Sequence, residues 1–383
     1  MAINKFKFSE SPFQRRIRLD KSALIPLEIS TAWITDDEEL LESCRQLYHY
    51  VVDGYDDILN NPEENFVDPL DPVFDTRPGN RDMVWDSMRF HRDFHRDFLI
   101  ALFRYAFLIE IDAIVVKNED YKKFLLKRKL KFPKEKDIKE RFIIPFSFQD
   151  LMTTLSRRGI VIMQLEHETI IKNAKYPQMF LAFERLFQAV EAFHAKTRRT
   201  SQWFLNMDFR AIENPFRKPE LDDLFYSLTL DEREVLDKLN SFAEQKKLKC
   251  KHRNMCGIRD TSFRFHDKHI LSFYWCVRTG LKIRVTLPEP PTAEHEVLFQ
   301  KIKELENAKE LIDFCLSNLY ECFYCSKACV KNSAYKKKWV ILGRPAPKLV
   351  TTCWGFGVYF SLTEETLRIA KTLVDLLIEV YVS

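Results

Sequence analysis

The residues best suited to chemistry in this sequence are four cysteines near its C-terminus. Cys322, Cys325 and Cys329 have the spacing C-x2-C-x3-C, and Cys353 follows after a lysine-rich stretch. A C-x2-C pair suits a tetrahedral metal ion, because a tight turn directs both thiolates at one point. With Cys353 as the fourth ligand, the spacing predicts a closed, structural zinc site.

Two other interpretations of these cysteines stay open from the sequence. In the first, the three clustered cysteines Cys322, Cys325 and Cys329 follow helical spacing together with Cys315, as if they lined the buried face of one helix that continues from KELIDFCLSNLY. Redox or iron–sulfur chemistry is the third interpretation. The stretch CKHRNMC, in which His252 lies between Cys250 and Cys256, offers a further ligand. We expect that stretch to be a surface loop.

A lysine cluster lies next to the cysteines in the sequence. Lys331, Lys336, Lys337 and Lys338 are followed by Trp339. Lysines neutralise phosphates and a tryptophan can stack on an exposed base, so this cluster is a candidate contact for single-stranded nucleic acid. A solvated loop with no such partner is the alternative explanation of the same residues.

Two histidines in the stretch RFHRDFHRDF form another candidate site. His91 and His95 are four residues apart, so a helix would place them on one face, which is otherwise apolar. On such a face they are either polar core residues or ligands. Glu191 and His194 have the spacing found in di-iron carboxylate helices, but such sites need that motif twice. We therefore expect His91 and His95 to be satisfied within a helical core.

The spacing of Arg89 and His95 resembles that of HEPN-type ribonucleases. In that family a paired arginine and histidine act on the 2′-hydroxyl of RNA without a metal. The resemblance implies a metal-independent ribonuclease as the alternative to a binding protein. A catalytic triad cannot be inferred from spacing, because its members meet in the fold. The rest of the sequence favours a protein that is not an enzyme.

Composition is that of a soluble, folded protein. Hydrophobic residues make up 46% of the 383 residues and charged residues 30%, the usual balance for a soluble domain. Glycine is scarce, and neither common glycine-rich phosphate loop is present, which disfavours a nucleotide-binding fold. The first residues carry no secretory signal. We expect a cytoplasmic protein whose cysteines are thiols or metal ligands rather than disulfides.

The net charge of +4 is distributed unevenly along the chain. From Tyr226 to the end, 25 Lys and Arg oppose 19 Asp and Glu, whereas residues 1–225 hold 35 against 37. A mildly basic C-terminal half permits a nucleic-acid partner without requiring one. Nucleic acid or another protein is the expected partner, and a membrane is not.

The elements that must position these residues divide near residue 220. The stretch NPFRKPELDD, residues 214–223, contains two prolines and several charges, which are typical of a linker. It separates a domain over residues 1–220 from a domain over residues 221–383. The predicted fold class is α+β, with a mainly helical first domain that contains a small hairpin. The second domain combines an antiparallel meander with a cysteine-bearing insert.

In the first domain we expect a helix that Thr35 caps, a long helix over residues 82–111 and a hairpin over residues 159–172. The apolar stretch 98–116 is interrupted by charged residues, which predicts a buried helix rather than a membrane span. The alternating pattern of WFLNMDFRAI predicts a strand.

In the second domain, three strands should lie in SFRFH, HILSFYWCV and LKIRVTLP, between helices. The last strand alternates cleanly, with Lys282 and Arg284 on one face and leucine, isoleucine and valine on the other. We expect the closing helix to begin at Ser361, with Glu364 completing a capping box.

Several stretches resemble a family of uncharacterised proteins from low-GC Gram-positive bacteria. They include DFRAI, SFRFHDKHILSFYWCVRTGLKIRV, CFYCSKACVKN and SLTEETLRIAKTLVDLL. The resemblance covers residues 160–383 and implies an α+β domain with clustered cysteines and a metal-binding habit, but no known activity. The sequence departs from the family pattern in two respects. No glycine follows Cys325, and the segment from Cys329 to Cys353 is longer and richer in lysine.

Overall fold

A computed structural model shows two compact units, Met1–Arg217 and Lys218–Ser383. The residues that it describes are 17–18, 21–22, 24–61, 64, 99, 102–110, 112–129, 148–197, 206–217, 225–226, 228–255, 258–276, 280–319, 340–345 and 356–382. Both units combine helices with antiparallel sheets, so the chain has the predicted α+β fold. The division between the units lies close to the boundary predicted after residue 220.

The N-terminal unit packs helices against a four-stranded antiparallel sheet of order β1-β2-β4-β3. Short helical turns lie at Leu27–Ser30 and Arg210–Glu213. The longer elements, in chain order, are α1 (Glu38–Asn60), β1 (Ala106–Ile109), β2 (Ala113–Lys117), α2 (Asn118–Lys129), α3 (Phe148–Arg157), β3 (Ile160–Gln164), β4 (Glu168–Asn173) and α4 (Met179–Thr197).

The core of this unit forms where the apolar faces of α1 and α4 meet. Cys44 and Leu47 of α1 are buried together with Phe180 and Phe183 of α4. Their positions recur every three or four residues, which puts them on one side of each helix. The predicted hairpin is confirmed as β3 and β4. Strands β1 and β2, which the sequence did not predict, extend the hairpin into a four-stranded sheet.

The apolar stretch 98–116 is not one buried helix. A helical turn ends at Phe103, and the chain then forms the hairpin of β1 and β2. Glu110 and Asp112, the charges that interrupt the apolar run, lie at the reversal between the strands. Asp112 is held there by Lys172, at 2.6 Å. The charges therefore mark a turn. Most of the long helix predicted over residues 82–111 lies outside the described residues, but its predicted end is wrong.

Two further predictions in this unit are wrong. The N-cap of α1 is Asp37, whose Oδ1 accepts a hydrogen bond from the Leu40 N–H at 2.9 Å, and not Thr35. The strand predicted in WFLNMDFRAI is absent over its described part, residues 206–212. Met207 there has a φ of +50°, and Asp208 folds back to bind Arg210 two residues later, at 2.7 Å.

The C-terminal unit is built on a five-stranded antiparallel sheet of order β11-β8-β7-β6-β5. Its elements are α5 (Leu230–Gln245), β5 (Lys249–Met255), β6 (Ile258–Phe265), β7 (Lys268–Cys276), β8 (Gly280–Thr286), α6 (Ala293–Lys303), α7 (Ala308–Ser317), β9 (Val340–Ile341), β10 (Arg344–Pro345), β11 (Gly357–Ser361) and α8 (Glu364–Val382). Strands β9 and β10 form a separate two-stranded hairpin.

One face of this sheet forms a core with the helices. Leu281, Ile283 and Val285 of β8 are buried there, as their alternation predicts. The three predicted strands are confirmed as β6, β7 and β8. The two edge strands of the sheet, β5 and β11, were not predicted. Strand β5 occupies most of the stretch CKHRNMC, which we expected to be a surface loop.

The start of α8 differs from the prediction. Ser361 is the last residue of β11, and the helix begins at Glu364. Thr363 and Thr366 satisfy each other across the first turn, because each backbone N–H donates to the other residue's hydroxyl. In the ranges described above, no helix is both long and apolar enough to cross a membrane.

Candidate functional site

The residues predicted to carry chemistry fall mainly outside the described residues. This holds for the four predicted zinc ligands, for the lysine cluster and its tryptophan, and for the residues of the ribonuclease hypothesis. They are Cys322, Cys325, Cys329, Cys353, Lys331, Lys336, Lys337, Lys338, Trp339, Arg89, His91 and His95. The described residues show how the chain on either side of the cysteine segment is held.

The two ends of the cysteine segment, residues 320–355, meet at the edge of the five-stranded sheet. Leu319 forms an antiparallel β-bridge with Val358. The Tyr359 N–H donates a hydrogen bond to the Asn318 carbonyl at 2.8 Å. Leu319 and Val358 are both buried. The described residues that precede Cys322 and those that follow Cys353 are therefore joined at one place in the sheet.

The β9–β10 hairpin gives the same segment a third attachment point. Leu342, at its tip, is completely buried, and its N–H lies 3.5 Å from Nε2 of His295 on α6. The next residue, Gly343, has a φ of +74° and lies against the Phe299 ring, where a Cβ would be 2.3 Å from the nearest carbon. Only glycine combines this conformation with such a close approach.

His295 is placed to accept a hydrogen bond rather than to carry a charge. Burial lowers the pKa of its imidazole below the usual value, so the ring is neutral at physiological pH. A neutral ring has one acceptor nitrogen, which suits the contact with the Leu342 N–H. The Phe356 ring lies against the imidazole at a steep angle, with 6.4 Å between the ring centres. His295 therefore connects α6 to the hairpin and to the entry into β11.

The helix that carries Cys315 does not extend to the clustered cysteines. Helix α7 ends at Ser317, with Asn318 as its C-cap. Cys315 is completely buried, and burial raises the pKa of its thiol from 9.0 to about 12. The idea that Cys315 and the three clustered cysteines line one continuous helix is therefore wrong. Cys315 itself is a core thiol.

Cys250 and His252 lie on β5, at the edge of the sheet, and face the same side. The Cys250 Sγ is 3.5 Å from Nε2 of His252, and Nδ1 of that ring is 2.8 Å from the Thr261 hydroxyl. Burial, with a smaller contribution from Glu244, raises the pKa of Cys250 to about 11. Its thiol is therefore protonated at neutral pH, which makes it a poor nucleophile.

A polar cluster in the N-terminal unit connects α1 to α3 and to the residue that follows α3. Arg157 binds Asp57 at 2.8 Å, and Arg158 lies 3.5 Å from the same carboxylate. Gly54 leaves room for the Arg158 guanidinium, which would lie 3.1 Å from a Cβ at that position. Because the carboxylate neutralises these cations inside the fold, the cluster holds the elements together and has no evident reactive group.

In the motif of Glu191 and His194, the glutamate takes part in an ion pair. Glu191 binds Arg104 at 2.8 Å, and His194 is exposed. The described part of the chain contains no group of three acidic, histidine or cysteine side chains that could hold a metal ion.

The structure reveals a basic surface that no sequence motif indicated. Lys282 and Arg284 alternate with the buried residues of β8, so they lie on the face of the sheet away from the core. The strand pairing puts Lys249 and Lys251 of β5 and Arg264 of β6 on the same face. We call these five residues the basic sheet face. They come from three strands, so their proximity depends on the pairing.

Comparison with known proteins supplies no relative. The chain matches no family model, no curated protein and no solved structure at a significant level. The domain of HEPN-type ribonucleases is purely helical, whereas the described part of the N-terminal unit contains a sheet. This difference is an observation against the ribonuclease alternative.

Proposed function

We propose that the protein is a cytoplasmic binding or regulatory protein. In this proposal one structural zinc ion, held by Cys322, Cys325, Cys329 and Cys353, stabilises the C-terminal unit. The basic C-terminal half contacts nucleic acid, with the lysine cluster before Trp339 as one point of contact. The zinc would supply folding free energy to a segment that has to be held without a core of its own.

The observation that carries the zinc proposal is the meeting of the two ends of the cysteine segment. Cys322 follows Leu319 by three residues and Cys353 precedes Val358 by five. A chain extends by at most about 3.6 Å per residue, so the two cysteines lie within about 11 Å and 18 Å of paired anchor residues. Ligands from the two ends of the segment are therefore within reach of one ion.

The chemistry of the donor set supports the same proposal. The described thiols, at Cys44, Cys250 and Cys315, have pKa values raised by burial, so each keeps its proton at neutral pH in the absence of a metal. The clustered cysteines are adjacent to lysines in the sequence, and positive charge lowers the pKa of a thiol. A set of four thiolates is typical of structural zinc.

Metal analysis of the purified protein tests the zinc site. We expect about one zinc per chain, the stoichiometry of a closed four-ligand site. Cys353→Ser should lose the zinc and lower the melting temperature of the C-terminal unit. The matched control is Cys250→Ser, which changes an exposed thiol outside the set and should retain the zinc.

A strong chelator provides the second arm of the test. It should lower the melting temperature of the wild type, because the free energy of metal binding contributes to folding. A metal-free protein whose melting temperature is the same with and without chelator would contradict the proposal and leave the clustered cysteines as ordinary thiols.

A further inference from the structure

The basic sheet face has a defined layout, because strand pairing sets which residues are neighbours. Arg284 lies opposite Ser272 on one side and Tyr359 on the other. Ser272 lies opposite Ser262, which lies opposite Lys251. One row therefore crosses all five strands. It has a lysine at one edge, two small hydroxyl side chains in the middle, and an arginine beside a tyrosine at the other edge.

The rows on either side of this one add more cations, and the row of Lys282 also contains Asp260 of β6. Lys249 lies opposite Arg264 on one side. Lys282 lies opposite Ser361 on the other, and its Nζ donates to the Ser361 hydroxyl at 2.5 Å. Lys249, Lys251 and Arg264 are exposed, and Lys282 is half-buried.

The cations of this face differ from those on the helices of the same unit. On the helices, Lys238 binds Glu364, Lys246 binds Asp375 and Lys301 binds Glu379, at 2.6–3.2 Å. Lys249, Lys251, Arg264 and Lys282 form no ion pair with an acid in the ranges that the structure describes. Their charges are therefore not neutralised within the described fold, and the face attracts anions.

The spacing of these charges suits a flexible polyanion. Side chains two residues apart on one strand are about 7 Å apart, and neighbouring strands are about 4.8 Å apart. Lys249 and Lys251 on β5 are thus separated from Lys282 and Arg284 on β8 by three strand spacings, about 14 Å. Ser262 and Ser272 lie in the central row between these two columns and are almost completely buried, with 3% and 6% exposure. The middle of the row is therefore covered, and the accessible cations lie toward the edges of the sheet.

An aromatic ring at the end of the central row favours a ligand with bases. The Arg284 guanidinium lies 5.4 Å from the centre of the Tyr359 ring, and Tyr359 is half-buried. An arginine beside a tyrosine ring, next to exposed cations, is a combination that binds single-stranded nucleic acid, because every base has a flat face to stack. An acidic peptide would use the cations but not the ring.

We propose that the basic sheet face, together with Tyr359, binds single-stranded nucleic acid. The phosphates lie along the lysines and arginines of β5, β6 and β8, and bases stack at the Arg284–Tyr359 end. This inference rests on the proposed contact between the C-terminal half and nucleic acid. It assigns the contact to residues distinct from the lysine cluster.

Fluorescence anisotropy of the full-length protein with a labelled single-stranded oligonucleotide tests this inference. The variant K249E/K251E should weaken binding at least tenfold at low salt. It should also reduce the slope of log K against log salt concentration by about 1.4, because each phosphate contact on a single strand contributes about 0.7. Tyr359→Leu should weaken binding about tenfold through loss of stacking.

The matched control carries the same change of charge on another surface of the same unit. Lys303 and Lys309 are exposed on α6 and α7, and K303E/K309E should leave the affinity within about twofold of the wild type, because these lysines lie off the proposed path. Circular dichroism and the melting temperature should show that all variants are folded. An equal loss of binding in the control and in K249E/K251E would overturn the inference.

Further outcomes separate this inference from the broader proposal. If K336E/K337E/K338E abolishes binding and K249E/K251E does not change it, the sheet face is wrong and the lysine cluster is the site. If the wild type fails to bind at low salt, both proposals fail.

Tighter binding of a duplex of the same length would contradict the preference for single strands. Displacement of the probe by polyglutamate as effectively as by unlabelled oligonucleotide would assign the face to acidic proteins.

Discussion

Burial sets the chemical state of the thiols in the described part of the chain. Cys44 and Cys315 are completely buried, and their pKa values rise from 9.0 to about 12. The removal of water penalises the thiolate much more than the neutral thiol. A buried thiol of this kind acts as a small apolar group. The ionisation of such a thiol can be measured as a change in the stability of the fold with pH.

Cys315 is expected to make stability depend on pH above about 9. Its pKa is raised in the folded state, so above pH 9 the unfolded chain loses the proton while the folded chain keeps it. Stability is therefore full below pH 9 and falls as pH rises toward 12. Between pH 8 and pH 10 this group should account for a loss of about 1.4 kcal/mol.

The measurement compares urea unfolding of the wild type and Cys315→Ala at the two pH values. The destabilisation caused by Cys315→Ala should be about 1.4 kcal/mol smaller at pH 10 than at pH 8, because the variant has no thiol to titrate. Leu316→Ala, on the same helix, should be equally destabilising at both values. A destabilisation by Cys315→Ala that does not change with pH would contradict the raised pKa.

At the scale of single elements, helix starts depend on which side chain reaches the free backbone N–H groups. Before α1, Thr35 and Asp37 are both good N-cap residues by type. The Asp37 carboxylate accepts from the Leu40 N–H, while the Thr35 hydroxyl donates to Asp36. The choice between neighbouring candidates depends on where the backbone enters the helical conformation, which residue types alone do not specify.

Substitution of these two residues should separate the actual N-cap from the apparent one. Asp37→Ala should lower the free energy of unfolding of the N-terminal unit by about 1 kcal/mol, because it leaves a helical N–H without its partner. Thr35→Ala should change it by less than about 0.5 kcal/mol, as for most surface positions. Denaturant midpoints report both values. The reverse order would mean that α1 begins two residues earlier.

At the scale of the whole molecule, each unit has its own hydrophobic core. One core draws on residues between Ile17 and Ala211, and the other on residues between Phe225 and Val380. The two share no residue, and both units have the size of ordinary independent domains. A separate core is the physical requirement for independent folding.

We therefore expect fragments 1–217 and 218–383 to fold when expressed separately. Each should show α+β circular dichroism and a cooperative thermal transition, because each unit has a hydrophobic core of its own. Fragment 218–383 should be prepared with zinc. A fragment that binds a hydrophobic dye and melts without cooperativity would show that its core needs the other unit.

Local periodicity determined the parts of this protein that the sequence predicts well. The alternation in LKIRVTLP specifies both β8 and its buried face, since successive side chains of a strand point to opposite sides. Helix α4 is likewise specified by its row of phenylalanines. These patterns act over a few residues and need no distant partner.

Tertiary structure decided the features that depend on pairing between distant residues. Strand β5 has the polar sequence KCKHRNM and no periodic apolar signal, and it is a strand because β6 pairs with it. The basic sheet face exists because that pairing brings Lys251 into one row with Arg284. The Leu319–Val358 bridge joins chain segments on either side of the cysteines. Contacts of this kind are set by the free energy of the assembled core, and residue types along one short stretch do not encode them.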